Sequence, residues 1–187
     1  MIDVTQLRRG NVIVTDNVPY VVVDNEFVKP GKGNPFNRLK LKHLLQGNTT
    51  ERTFKVGEKV EQADVKNQSM DYLYNDGENY HFMDPESFEQ IEVPADVVGD
   101  QKNYMLEQMK CNVMFYNGKA VTIDVPNFVE LEITYTEPGL KGDTTNMPFK
   151  PATFETGFEM NVPLFCEIGD KIKLDTRENK YIERIKK

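Results

Sequence analysis

Histidine and cysteine are scarce in this sequence, two of each, and neither falls at a spacing that holds a metal or pairs a nucleophile with a base. His43 and His81 have no companion ligand, so no metal, no cofactor and no enzymatic centre is expected. Cys111 and Cys166 lie far apart in apolar, strand-like surroundings and read as small buried hydrophobes rather than a disulfide. Long apolar runs are also missing: none approaches the ~20 residues needed to span a bilayer, so no membrane partner is expected. The N-terminus, Met1-Ile2-Asp3-Val4-Thr5, has neither a basic segment nor an apolar one of the secretory kind, and the expectation is a cytoplasmic protein.

The most telling absence is local. From Phe27 to Thr50 there is no acidic residue, while Lys29, Lys32, Arg38, Lys40 and Lys42 supply five positive charges in a chain of net charge -7. Within this stretch, Lys29-Pro30-Gly31-Lys32-Gly33-Asn34-Pro35 sets a lysine between two glycines. Proline fixes φ before the turn and glycine permits φ > 0 beside the lysine, so the chain can reverse with Lys32 at the tip. An exposed cation on a basic, acid-free segment points to an anionic partner, and RNA is the candidate. Lys29, Arg38, Lys40 and Lys42 are the accompanying candidate RNA contacts.

Charge divides the chain into unlike thirds. Residues 1–64 carry net +2, residues 65–128 net -7 and residues 129–187 net -2. An acidic middle is repelled by phosphate, so only the first segment suits a polyanion.

Short strands fill all three parts. In the first, Asn11–Val14 and Tyr20–Val23 flank an Asp16-Asn17 turn, and Arg38–Lys42 alternates apolar with basic, which puts Lys40 and Lys42 on one exposed face. The second opens with Ser69–Tyr74, turns at Asn75-Asp76-Gly77, returns through Tyr80–Met83 and adds Phe88–Glu92. Helical material is expected at Pro94–Val98 and Asp100–Gln108, with Asp100 as an N-cap. Cys111–Tyr116 and Ala120–Val125 follow around Asn117-Gly118. Three strands, a helix and two strands is an OB-type order. Tyr72, Tyr74, Tyr80, Phe82 and Phe88 resemble a stacking platform of OB type, but in so acidic a unit core packing is the expectation. The third part has strands at Val129–Thr136, Pro151–Thr156, Phe158–Val162, Lys171–Asp175 and Tyr181–Ile185, with a long polar loop after the first. The loop's Gly142, Asp143 and Thr144 read either as an Asx-type turn or as a binding segment. Arg184, Lys186 and Lys187 form a basic end, a frayed tail or a further RNA contact. The fold class is all-β, three small β-barrel domains at 1–64, 65–128 and 129–187.

Several segments, in order, resemble bacterial elongation factor P: Lys29–Gly33, Tyr72-Leu73-Tyr74-Asn75-Asp76-Gly77, Pro126–Glu132, Glu137–Thr144, Lys150–Thr153, Val162–Phe165 and Gly169–Thr176. The resemblance implies an SH3-like (KOW-type) first barrel, two OB-fold barrels and an L-shaped outline like that of tRNA. It implies a monomeric factor that binds the ribosome between the peptidyl and exit tRNA sites. There it stimulates peptide-bond formation at stalled polyproline sequences by positioning the CCA end of peptidyl-tRNA. Lys32 takes the place of the functional tip lysine and modification site, which implies a lysine-modifying enzyme as a partner. Pro30, Gly31, Gly33 and Asn34 form its loop, and Gly142, Asp143 and Thr144 become a small-subunit-side loop. After the lysine this chain reads Gly33-Asn34-Pro35-Phe36, where extended tips of the family read Gly-Gln-Ala-Phe.

Two other functions compete. A general single-stranded RNA-binding protein of OB type would bind free RNA with a steep salt dependence, which an acidic chain disfavours. A Schiff-base enzyme would need a buried lysine of depressed pKa, whereas Lys32 is expected on a solvated loop.

Overall fold

The computed structural model describes residues 1–139 and 149–185. Apart from one four-residue α-helix and two 3-10 turns, its regular structure is sheet, arranged as three β-domains.

The first sheet is built from β1 (Ile2–Asp3), β2 (Val12–Thr15), β3 (Val18–Val28), β4 (Phe36–His43), β5 (Thr49–Lys55) and β6 (Lys59–Gln62), in the order β1-β6-β2-β3-β4-β5. Asp16 and Asn17 connect β2 to β3 with φ of 53° and 59°, the left-handed pair that matches the twist of a two-residue hairpin. Val4, Ile13, Val22, Leu39 and Leu41 fill the interior with no exposed surface.

A bulge in β3 controls which side chains face that interior. The register with β4 runs from Val22↔Leu41 to Asp24↔Lys40 and leaves Val23 without an opposite number. One extra residue inverts the alternation beyond it. Asn25, not Asp24, therefore turns inward, where its Nδ2 donates to the carbonyls of Val4 (3.0 Å) and Leu7 (2.9 Å). Asp24 and Glu26 are left exposed.

The second sheet holds β7 (Val65–Asn75), β8 (Asn79–Met83), β9 (Gln90–Pro94), β10 (Lys110–Tyr116) and β11 (Lys119–Asp124), ordered β11-β10-β7-β8-β9. The β7–β8 turn is fixed by side chains: Gly77 N–H donates to Asn75 Oδ1 (2.7 Å), and the N–H groups of Glu78 and Asn79 donate to Asp76 Oδ1 (2.9 and 2.8 Å). Between β9 and β10 the first expected helical segment is present, and the second, Asp100–Gln108, is corrected. The α-helix α1 covers Ala95–Val98 only, and a 3-10 turn carries on over Gly99–Tyr104. Gly99 breaks the helix at φ 55°, Met105 is already extended, and Asp100 lies inside the 3-10 turn instead of capping a helix. The aromatics divide: Tyr72, Tyr80 and Phe82 are core, but Tyr74 and Phe88 are exposed.

The third sheet is made of β12 (Phe128–Thr136), β13 (Phe149–Phe154), β14 (Glu159–Pro163), β15 (Lys171–Asp175) and β16 (Lys180–Ile185), ordered β14-β13-β12-β15-β16. Inward residues of successive strands, Leu131, Ile133, Phe154, Val162, Ile172 and Leu174, make its core. The five strands agree closely with those read from alternation.

The chain forms two compact units, residues 1–68 with 113–122 and residues 69–112 with 123–187. In the first, Val121, Met114 and Tyr116 from the far end of the β10–β11 hairpin pack with Val12, Val21 and Leu44. In the second, Thr156 Oγ1 donates to the Asn103 carbonyl (2.6 Å) and Tyr104 meets Phe158 edge-on at 5.3 Å. Cys111 and Cys166 are free and buried, and burial pushes the Cys111 thiol up to about 12.

Candidate nucleic-acid interface

Strands β3 and β4 project the loop of interest. Their last pair, Val28↔Phe36, closes over residues 29–35, so the loop begins and ends on a hydrogen-bonded ladder. Lys32 is exposed, as are Lys29, Gly31, Gly33 and Asn34, while Pro30 and Pro35 are half-buried. Only one glycine uses its conformational freedom: Gly33 has φ +104°, and a Cβ there would come within 3.9 Å of Pro30 Cγ. Gly31 keeps ordinary φ, with open space around it. The reversal is thus made after the lysine, between Lys32 and Asn34.

A side-chain ladder anchors the base of this loop. Asn37, 3% exposed, donates through Nδ2 to Asn25 Oδ1 (2.8 Å), and Asn25 in turn holds the Val4 and Leu7 carbonyls. These two amides tie β4, β3 and the N-terminal 3-10 turn Val4–Gln6 together directly below the tip. Pattern reading missed them, because polar residues in strands look like solvent-facing positions until the bulge is known.

The same bulge revises the expected cation cluster. Arg38, Lys40 and Lys42 do share the exposed face of β4, but the stretch that is acid-free in sequence is not acid-free in space. Arg38 Nη1 lies 3.5 Å from Glu26 Oε2. Lys40 stands between Asp24 of β3 and Glu51 of β5 in the register. Lys42 is different, flanked by Val21 and Thr49. Among the described residues, Lys29, Lys32, Lys40 and Lys42 make no ion pair with an acidic side chain, and of these Lys40 has acidic residues opposite it in both neighbouring strands. Beyond Lys42 the chain is fixed by His43, whose Nδ1 accepts the N–H groups of Leu45 and Gln46, both at 3.1 Å. Arg52 is occupied elsewhere, paired with Asp16 and lying over the Tyr20 ring.

Gly142, Asp143 and Thr144 lie outside the described residues, as do Lys186 and Lys187. Arg184 is engaged within the third domain: its Nη1 donates to the Phe165 carbonyl (3.2 Å) and to Asp170 Oδ2 (3.3 Å), and the guanidinium covers the Phe165 ring. Among the described residues no group of three or more His, Cys, Asp or Glu could hold a metal ion, and no helix is long and apolar enough to cross a membrane.

Comparison with known proteins gives each domain a counterpart. Residues 3–60 match the family model of the elongation factor P (EF-P) KOW-like domain, residues 65–123 that of the elongation factor P (EF-P) OB domain, and residues 129–184 that of the elongation factor P C-terminal domain. Among solved structures, a eukaryotic translation initiation factor 5A from Methanococcus jannaschii is similar at 22% identity and a TM-score of 0.48, covering 65% of this chain and 94% of that one. A translation initiation factor eIF-5A family protein from Naegleria fowleri is similar at 15% identity and a TM-score of 0.44, over 66% of this chain and 96% of that one. The three family matches follow one another in chain order and are the successive parts of a single family of translation factors, and this chain belongs to the elongation factor P family.

Proposed function

We propose that this protein is a non-enzymatic, monomeric elongation factor that binds the ribosome between the peptidyl and exit tRNA sites and stimulates peptide-bond formation at polyproline stalls. The observation that carries the reading is the exposed Lys32 on a loop closed by the Val28↔Phe36 pair, in a chain of this family. A long cation on a short, anchored loop reaches into a crowded RNA site where a strand or helix would clash, and it offers an amine that a lysine-modifying enzyme can extend. Proline's ring restricts φ and makes it a poor acceptor and donor, so holding the CCA end of peptidyl-tRNA lowers the entropic part of the barrier. The protein positions, and the ribosome carries out the reaction.

In this reading Pro30, Gly31, Gly33 and Asn34 shape the tip, and Lys29 and Lys42 supply phosphate contacts. Arg38 and Lys40 contribute less, because Glu26, Asp24 and Glu51 stand beside them. On the family resemblance alone, Gly142, Asp143 and Thr144 face the small subunit, and the domains end at residues 64 and 128. The test is Lys32→Ala in a reconstituted translation reaction on a Pro-Pro-Pro template. The variant melts with the wild type, since an exposed loop side chain contributes little to stability, and it loses the stimulation. Full stimulation by the alanine variant would remove Lys32 from the mechanism.

A further inference from the structure

Phe27 is the one large apolar side chain of β3 that the first domain does not bury. It is 55% exposed, although the register puts it on the inward side of the sheet, opposite Asn37, which is itself opposite Phe54. Asn37 and Phe54 are buried, so the row Phe54–Asn37–Phe27 starts in the core and emerges at its β3 end. The bulge after Val22 sets this up: without the extra residue, Glu26 and not Phe27 would share the side of Asn37. A phenyl ring is thereby left in solvent two residues before Lys29 and at the root of the loop bearing Lys32.

A solvent-facing ring at the root of a loop that carries cations is the pair of features by which proteins hold unpaired nucleotides, the ring stacking on a base and the ammonium groups taking the phosphates. Charge decides between the occupants. The loop and its root offer Lys29 and Lys32, which make no ion pair among the described residues, in a protein whose net charge is -7, so the surface is complementary to a polyanion and not to the average protein. We propose that Phe27 is a stacking residue for an unpaired nucleotide of the RNA that Lys32 approaches, with Lys29 beside the adjoining phosphate. The proposal rests on the functional reading of Lys32 above, and adds to the tip a contact with a base where that reading needs only contacts with phosphate.

The test is an NMR titration of the full-length protein with a short unstructured oligoadenylate and with an abasic oligomer of the same length and charge. Wild-type protein is expected to bind the base-bearing oligomer at least about fivefold more tightly, with ring-current shifts at Phe27. Phe27→Tyr keeps that preference. Phe27→Leu loses it while retaining the affinity for the abasic oligomer, whereas Lys32→Gln weakens both oligomers alike. Equal binding of the two oligomers by the wild type, or no binding of either, overturns the proposal. So does an unchanged preference in Phe27→Leu; if Lys32→Gln still weakens binding in that case, the reading of Lys32 stands and only the stacking role falls. A Phe27→Leu protein that keeps the preference but is no longer extended at Lys32 by its modifying enzyme would make the ring a protein contact instead.

Discussion

One side chain, Asn25, connects three parts of the first domain. Its Nδ2 serves the carbonyls of Val4 and Leu7, and its Oδ1 accepts from Asn37. Asn25→Ala removes all three bonds and strands a buried amide on Asn37, so it should destabilise the protein by about 2 kcal/mol or more, read from urea denaturation. Asn25→Asp is expected to be little better, because a carboxylate cannot donate to two carbonyls. A loss of only a few tenths of a kcal/mol would mean that water replaces the ladder. These residues were not legible as an anchor. Asn25 sits between Asp24 and Glu26 in sequence, and nothing local distinguishes it from a solvent-facing turn residue. Lys32 was legible because its neighbours Pro30 and Gly33 act through their own φ angles and need no distant partner.

Hairpins follow the same division at the scale of elements. Asp16-Asn17, Asn75-Asp76-Gly77 and Asn117-Gly118 were readable because the residues that make the turn are the turn; the left-handed φ values of Asn117 and Gly118, 50° and 75°, are an example. The bulge at Val23 was not, nor was the 3-10 turn that takes the place of the second expected helix. A bulge depends on how two strands pair, and the expected helix over Asp100–Gln108 gives way to an extended Met105. The bulge carries a measurable consequence for charge. Lys42→Glu should lower the slope of ribosome affinity against salt by about 1, as loss of a phosphate contact does. Lys40→Glu should change it far less, because Asp24 and Glu51 already flank that lysine. Equal effects would show that those acids do not shield it.

The β7–β8 hairpin makes a separate prediction. Hydrogen bonds from Asn79, His81 and Glu78 hold the Asp76 carboxyl down to about 2 from its ordinary 3.8. Its folded pKa is depressed, so the stabilisation is complete above about pH 4 and is lost as the pH falls toward 2. Melting temperatures of wild type and Asp76→Asn should therefore differ most above pH 4 and converge near pH 2. A difference that stayed constant across that range would place the effect in packing rather than in titration. Tyr74 stacks on His81 beside the site, with ring centroids 4.4 Å apart.

Over the whole molecule, alternation and turn residues were enough to read three β-domains and most of their strands, because most strands of the second and third sheets bury an apolar face of their own, β16 with its exposed Ile182 being an exception. What sequence order concealed was the company of the cations: Asp24, Glu26 and Glu51 lie just outside the stretch from Phe27 to Thr50, and pairing of β3, β4 and β5 brings them alongside Arg38 and Lys40. The proposed function therefore rests on the tip, where the loop bearing Lys32 is to reach the end of peptidyl-tRNA. Since Cys111 and Cys166 are buried, an Asn34→Cys protein can be labelled beside Lys32 alone with an iron-chelate probe, and its hydroxyl radicals will cut whatever RNA the tip approaches. On ribosomes stalled at consecutive prolines, the account predicts cleavage at the 3′ end of peptidyl-tRNA and in the ribosomal RNA around it; saturated binding with cleavage only at the anticodon end, or with none, would contradict it.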